Sequence, residues 1–138
     1  MPASRKTKFA PANPPTAAPT RTILLVDDND GARIPTKWLL NSFGYAVDTA
    51  RSAEESLALF DPAIHDLVVT DNAMPGMSGV EMAHIIKLRS AATPVIMYTG
   101  QAPEDQSCVN EVIIRGSHIL ALKQSVERLL AVKTPPVA

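Results

Sequence analysis

The sequence predicts an α/β fold, a parallel sheet covered by helices on both faces, from three observations. Five short apolar runs alternate with stretches of helical periodicity, so strands and helices follow one another along the chain. The central runs, such as Leu24-Leu25-Val26 and Leu67-Val68-Val69, are continuously apolar, as expected of strands buried on both sides. Two runs lead directly into carboxylates, at Asp27-Asp28 and at Asp71, which puts acidic groups at strand exits. Right-handed crossovers between parallel strands then place the helices on both faces of the sheet.

The elements follow in order. Residues 1–20 contain Pro2, Pro11, Pro14, Pro15 and Pro19 among small and polar residues, too few large apolar groups to offset chain entropy, and are expected to form a disordered tail. Thr22–Val26 is the first strand. The helix after it, Gly31 to Phe43, places Ile34, Trp38, Leu39 and Phe43 at helical spacing, with Pro35 in a first turn and Gly44 just past the C-cap. Tyr45 to Ala50 is a second strand, and Ser52-Ala53-Glu54-Glu55 reads as a capping box opening a helix through Leu57 and Phe60.

Leu67 to Thr70 is the third strand. Its Pro/Gly-punctuated exit, Met74-Pro75-Gly76-Met77, leads to a second capping box, Ser78-Gly79-Val80-Glu81, and a helix through Met82, Ile85, Ile86 and Leu88. Pro94 to Thr99 is strand four, and the polar stretch Pro103 to Asn110 has room for one or two helical turns at most. Val112-Ile113-Ile114 is strand five. A last helix from about His118 to Val132 aligns Ile119, Leu122, Val126, Leu129 and Leu130, and Thr134-Pro135-Pro136 stops it. The chain is thus expected to comprise a tail over 1–20, one domain over 21–132 and a short tail over 133–138.

Composition narrows the function. A net charge of −1 gives no general attraction to nucleic acid or anionic membranes. No apolar stretch approaches the roughly 18 to 20 residues needed to span a bilayer, and no secretory signal core follows the N-terminal cations. A single cysteine, Cys108, cannot form an internal disulfide, in keeping with a cytoplasmic protein.

If strands one and three are neighbours, Asp27, Asp28 and Asp71 converge at the carboxyl end of the sheet, where open α/β sheets bind ligands. Like charges so close repel unless a cation neutralises them, and hard carboxylate oxygens favour Mg²⁺ or Mn²⁺. The residues alone therefore point to a metal-dependent phosphoryl site.

The set of Asp27-Asp28, Asp71 followed by Met74-Pro75-Gly76-Met77-Ser78-Gly79, and Thr99-Gly100 after Val95-Ile96-Met97-Tyr98 resembles the receiver domain of bacterial response regulators, over about residues 21 to 132. The resemblance implies a flavodoxin-like (βα)5 three-layer sandwich with a parallel five-stranded sheet of order 2-1-3-4-5 and, here, a shortened fourth helix. It implies Asp71 as the phospho-acceptor, taking its phosphoryl group from a sensor histidine kinase or histidine phosphotransfer protein. Asp27, Asp28, Asp71 and the Ala73 carbonyl would hold Mg²⁺, and Thr99 would bind a phosphoryl oxygen and trigger switching. Such a chain is no enzyme beyond slow self-dephosphorylation; it signals through protein contacts or phosphorelay, here as a stand-alone receiver. A phosphatase-like enzyme usually needs a second Asp two residues beyond the nucleophile, and that position is Ala73.

The chain departs from the family after strand five, where receivers carry Lys-Pro and this sequence has Arg115-Gly116. Arg115 is the expected replacement for the lysine, with Lys123, inside the last helix, as the rival. Val112 stands where an aromatic switch residue often sits. These departures leave open a pseudo-receiver that binds a partner without phosphorylation. His65, His84 and His118 show no ligand spacing and read as surface or loop residues.

Overall fold

The structure, a computed structural model, describes residues 20–133. Five strands form one parallel sheet: β1 (Thr22–Val26), β2 (Ala46–Ala50), β3 (Leu67–Thr70), β4 (Val95–Thr99) and β5 (Glu111–Ile114), in the order β2-β1-β3-β4-β5. Four helices accompany them: α1 (Asp30–Ser42), α2 (Ala53–Leu59), α3 (Gly79–Arg89) and α4 (Ile119–Lys133). The expected tails over 1–19 and 134–138 lie outside the described residues.

Alternation within the central strands divides the core. Leu24, Val26 and Val68 face one way, against Phe60, Met82 and Ile86 of the α2/α3 layer. Ile23, Leu25, Leu67 and Val69 face the other, against Leu40 of α1 and Leu122, Val126 and Leu130 of α4. Both faces of β1 and β3 are covered, which explains why their sequences are apolar without interruption.

Helix α1 starts earlier than the periodicity suggests. Asn29 is its N-cap, accepting from the Gly31 N–H at 2.7 Å, so Pro35 falls in the second turn. There the proline forgoes a bond to the Gly31 carbonyl, a loss eased because Gly31 is at the exposed start of the helix. Arg33, Thr36 and Leu40 face inward and Leu39 and Phe43 pack partly buried beside them, while Ile34 and Trp38, which the spacing groups with Leu39 and Phe43, are 46% and 70% exposed. Arg33 can replace an apolar residue there because Nη1 donates to the Asp27 carbonyl at 3.1 Å and Nη2 to Asp30 at 2.6 Å. Leu88, expected on the buried stripe of α3, is likewise 87% exposed.

The two expected capping boxes differ. At α3, Ser78 Oγ accepts from the Glu81 N–H and Glu81 accepts from the Ser78 N–H, which closes the box. At α2, Ser52 caps Glu55 at 3.0 Å, but the Glu55 carboxylate reaches the Arg51 N–H, one residue earlier. His65 lies in the loop before β3, in line with the surface-or-loop expectation, but not at the surface. It is buried, stacked on Phe60, and bridges the Asp61 N–H and the Asp48 carboxylate. Between β4 and β5 the shortening expected of a fourth helix out of five is complete, for Gly100–Asn110 makes bends and a turn with no helix. Among the described residues no helix is long and apolar enough to cross a membrane.

Candidate functional site

Register brings the acidic residues together. Val26 pairs with Thr70 at the last rung between β1 and β3, and the Asp71 N–H bonds the Val26 carbonyl at 3.0 Å, so both strands release their carboxylates at one level. One oxygen each from Asp27, Asp28 and Asp71 lies within 4.8 Å of the others. Asp27 is buried, Asp71 half-buried and Asp28 exposed. Burial pushes the Asp27 carboxyl above its ordinary pKa, and the Asp71 charge adds to this. The Asn29 N–H and the Arg115 guanidinium oppose the shift without cancelling it.

The loop after Asp71 is fixed by its own backbone. Asp71 Oδ1 accepts from the Asn72 N–H at 2.7 Å. The Asn72 carbonyl and side-chain oxygen take the Gly79 and Val80 N–H groups, each at 3.0 Å, so the loop returns onto the start of α3. A Cβ at Gly79 would lie 2.1 Å from the Asp71 carbonyl oxygen, which explains the glycine at the end of the Met74–Gly79 run. Nothing in the strand or helix patterns marks Asn72 as this clamp.

A cleft of about 540 Å³ opens beside these groups, lined by Asp71, Asn72 and Ala73 on one wall and Thr99, Gly100, Gln101 and Ala102 on the other. Thr99 ends β4 opposite Ile114 of β5, and the Arg115 N–H bonds the Thr99 carbonyl at 2.7 Å. The Arg115 side chain turns toward the acidic group, with Nη2 3.0 Å from Asp27 Oδ2. Lys123 lies elsewhere, its ammonium 5.9 Å from the Phe43 ring centroid. Val112 is partly buried and in register with Met97. His84 is exposed on α3, bonded to Asp105 and Cys108; His118 is exposed beside α4.

A five-stranded parallel sheet of order 2-1-3-4-5, three clustered aspartates and a threonine-walled cleft join here with a family match. The model of the response regulator receiver domain matches residues 23–132. The chain belongs to that family. Among its relatives, the transcriptional regulatory protein ResD of Bacillus subtilis is 37% identical over 82 residues, 59% of this chain and 34% of ResD. The gliding motility regulatory protein of Myxococcus xanthus is 31% identical over 130 residues, 86% of this chain and 17% of that protein. The chain therefore spans about a third of ResD and less than a fifth of the gliding motility regulatory protein. Among solved structures, the response regulator TrrA of Thermotoga maritima in complex with Mg²⁺-BeF is 32% identical with a TM-score of 0.75, over 80% of this chain and 99% of TrrA. TrrA has also been solved in complex with the histidine kinase ThkA. A CheY-like receiver from Methanospirillum hungatei, 26% identical, superposes with a TM-score of 0.77 over 83% of this receiver and 97% of its own chain.

The donor set fits a divalent cation. Carboxylate oxygens are hard ligands, and a cation would offset both the burial that raises the Asp27 pKa and the smaller repulsion from Asp71 that adds to it. Asp27, Asp28 and Asp71 are the side chains positioned to hold it, with Ala73 on the adjoining wall of the cleft.

Proposed function

We propose that this receiver accepts a phosphoryl group on Asp71 from a phosphohistidine of a sensor histidine kinase or histidine phosphotransfer protein. The observation that carries the reading is the acidic triplet, gathered within 4.8 Å, whose Asp71 lines a cleft with Thr99 on its far wall. An Asp71 oxygen attacks phosphorus, the P–N bond to the donor imidazole breaks, and the electron pair stays on that imidazole nitrogen, which takes up a proton. Protein groups in such a transfer mainly position the reactants and balance charge. Asp27 and Asp28, with Asp71 and the Ala73 carbonyl, would hold Mg²⁺ or Mn²⁺, which when bound neutralises phosphoryl oxygens. The Thr99 O–H donates a hydrogen bond to a phosphoryl oxygen, and Arg115 supplies a fixed positive charge. The product, an acyl phosphate lost by slow hydrolysis, signals through protein contacts or passes its phosphoryl group along a relay, in the cytoplasm.

A second reading, a phosphorylation-independent protein-binding module, draws on Arg115-Gly116 and on the missing helix between β4 and β5. Incubation with acetyl phosphate and Mg²⁺, followed by intact-mass measurement, separates the two. The expected result is one added phosphoryl group, lost in Asp71→Asn and in chelator. A folded protein that takes no label overturns the phospho-acceptor reading in favour of the second.

A further inference from the structure

Exchanging lysine for arginine at a phosphoryl site creates a positioning problem. An ammonium is a point charge with three rotatable donors, whereas a guanidinium is a planar fork whose usefulness depends on how its plane is held. In this chain the last two residues of β4 hold that plane. Nη2 donates to the Tyr98 carbonyl at 2.9 Å as well as to Asp27 Oδ2 at 3.0 Å. The guanidinium carbon stands 5.0 Å from the centroid of the Tyr98 ring. The Arg115 main chain is bonded to Thr99 at 2.7 Å. Nε is buried with no hydrogen-bond partner, so the two Nη2 bonds and the Tyr98 ring are the contacts that hold the group. Both N–H groups of Nη2 are engaged, and the Nη1 edge carries none of these bonds.

We infer that Tyr98 is a positioning residue for phosphoryl acceptance at Asp71. Its ring is the floor beneath Arg115 that holds the guanidinium against Asp27, with Nη1 left to meet a phosphoryl oxygen. A flexible lysine needs no such floor, so Tyr98 and Arg115 act as one unit in this chain. The inference rests on the phospho-acceptor reading, and the experiment separates the two.

The rate of Asp71 labelling by acetyl phosphate is measured by intact mass in the wild type, Tyr98→Leu, Tyr98→Phe, Arg115→Gln and the Tyr98→Leu/Arg115→Gln double variant. Losing a cation–π floor slows labelling about fivefold in Tyr98→Leu, and Tyr98→Phe, which keeps the ring, restores the rate. The double variant is no slower than Arg115→Gln alone, because the tyrosine acts only through the arginine. Equal slowing by Tyr98→Leu in both backgrounds, or none in either, overturns the inference. A second measurement needs no labelling: hydrogen exchange at the Arg115 Nε–H of ¹⁵N-labelled protein accelerates severalfold in Tyr98→Leu. An unchanged exchange rate overturns the positioning role. A wild type that takes no label while its exchange responds to Tyr98→Leu overturns the phospho-acceptor reading and upholds the contact between the two side chains.

Discussion

The two sides of the cleft are built in different ways. On the β1/β3 side, short stretches of neighbouring residues do the work. Asp27 and Asp28 leave a strand, Asn29 caps the helix that follows, Asn72 clamps the next loop, and Ser78 with Glu81 closes the box opening α3. On the β4/β5 side a helix is missing, and side chains from distant elements brace an irregular segment. Lys87 of α3 donates to Asn110 at 2.7 Å, His84 bonds Asp105 at 3.0 Å, Glu111 pairs with Ser125 and Arg128 of α4, and Arg115 reaches across to Asp27. The contrast teaches that the acidic wall is specified by backbone geometry, whereas the wall carrying Thr99 and Arg115 depends on several separable contacts. One misplaced methyl group should disable the first; the second should weaken by steps.

Gly79→Ala is the sharpest way to break this comparison. Its Cβ would meet the Asp71 carbonyl oxygen at 2.1 Å and the Asn72 Cα at 3.0 Å, both backbone atoms that cannot swing aside. The expected cost is about 3 kcal/mol or more in urea unfolding, at the upper end for overpacking. A loss below about 1 kcal/mol, within the range of ordinary substitutions, would mean that the loop yields and that the acidic wall is not fixed by its backbone.

Asn110→Ala probes the other wall. Asn110 Oδ1 accepts from the Val95 N–H at 2.9 Å and from the Lys87 ammonium at 2.7 Å. Lys87 is partly stripped of water, which pulls its pKa below the usual lysine value, so it relies on this oxygen and on the Thr93 carbonyl. Removing the oxygen leaves two donors under-satisfied, at a cost of about 2 kcal/mol. Hydrogen exchange should accelerate in residues 100–110 and little around Asn72. Uniform acceleration across both walls would show that they open together and that the contrast is not one of stability.

The same contrast decides what the sequence reveals. The five strands, their carboxylate exits and the capping box at Ser78 are carried by neighbouring residues, and pattern suffices to find them. The inward face of α1 is only partly legible, because periodicity scores Arg33 as polar and Trp38 as apolar. It has no knowledge that the Asp27 carbonyl would satisfy a buried guanidinium. The burial of the loop residue His65 escapes pattern for a related reason: it depends on Asp48, which only the fold brings near, as well as on the neighbouring Phe60. Arg115 could be named as the substitute for lysine from its place after β5. Tyr98 could not be named as its support, since that role requires β4 and β5 in register.

The mildest test concerns the outer end of the braced wall. Glu111, the first residue of β5, accepts from Ser125 Oγ at 2.6 Å and pairs with the Arg128 guanidinium. The Arg128 hydrogen bond, more than any other contact, holds its carboxyl below the ordinary glutamate pKa. A carboxylate with a depressed folded-state pKa contributes stability that is fully present above its unfolded value and is lost as pH falls through the folded value. Arg128 is largely exposed, so solvent screens the pair, and Glu111→Gln should lower Tm by only a few degrees at pH 7. That gap should close as the pH drops from the unfolded value of 4.5 through the depressed one. A gap that persists in acid would assign the loss to packing or to the Ser125 hydrogen bond. The charge would then not be a brace, and the β4/β5 wall would depend on fewer contacts than its geometry suggests.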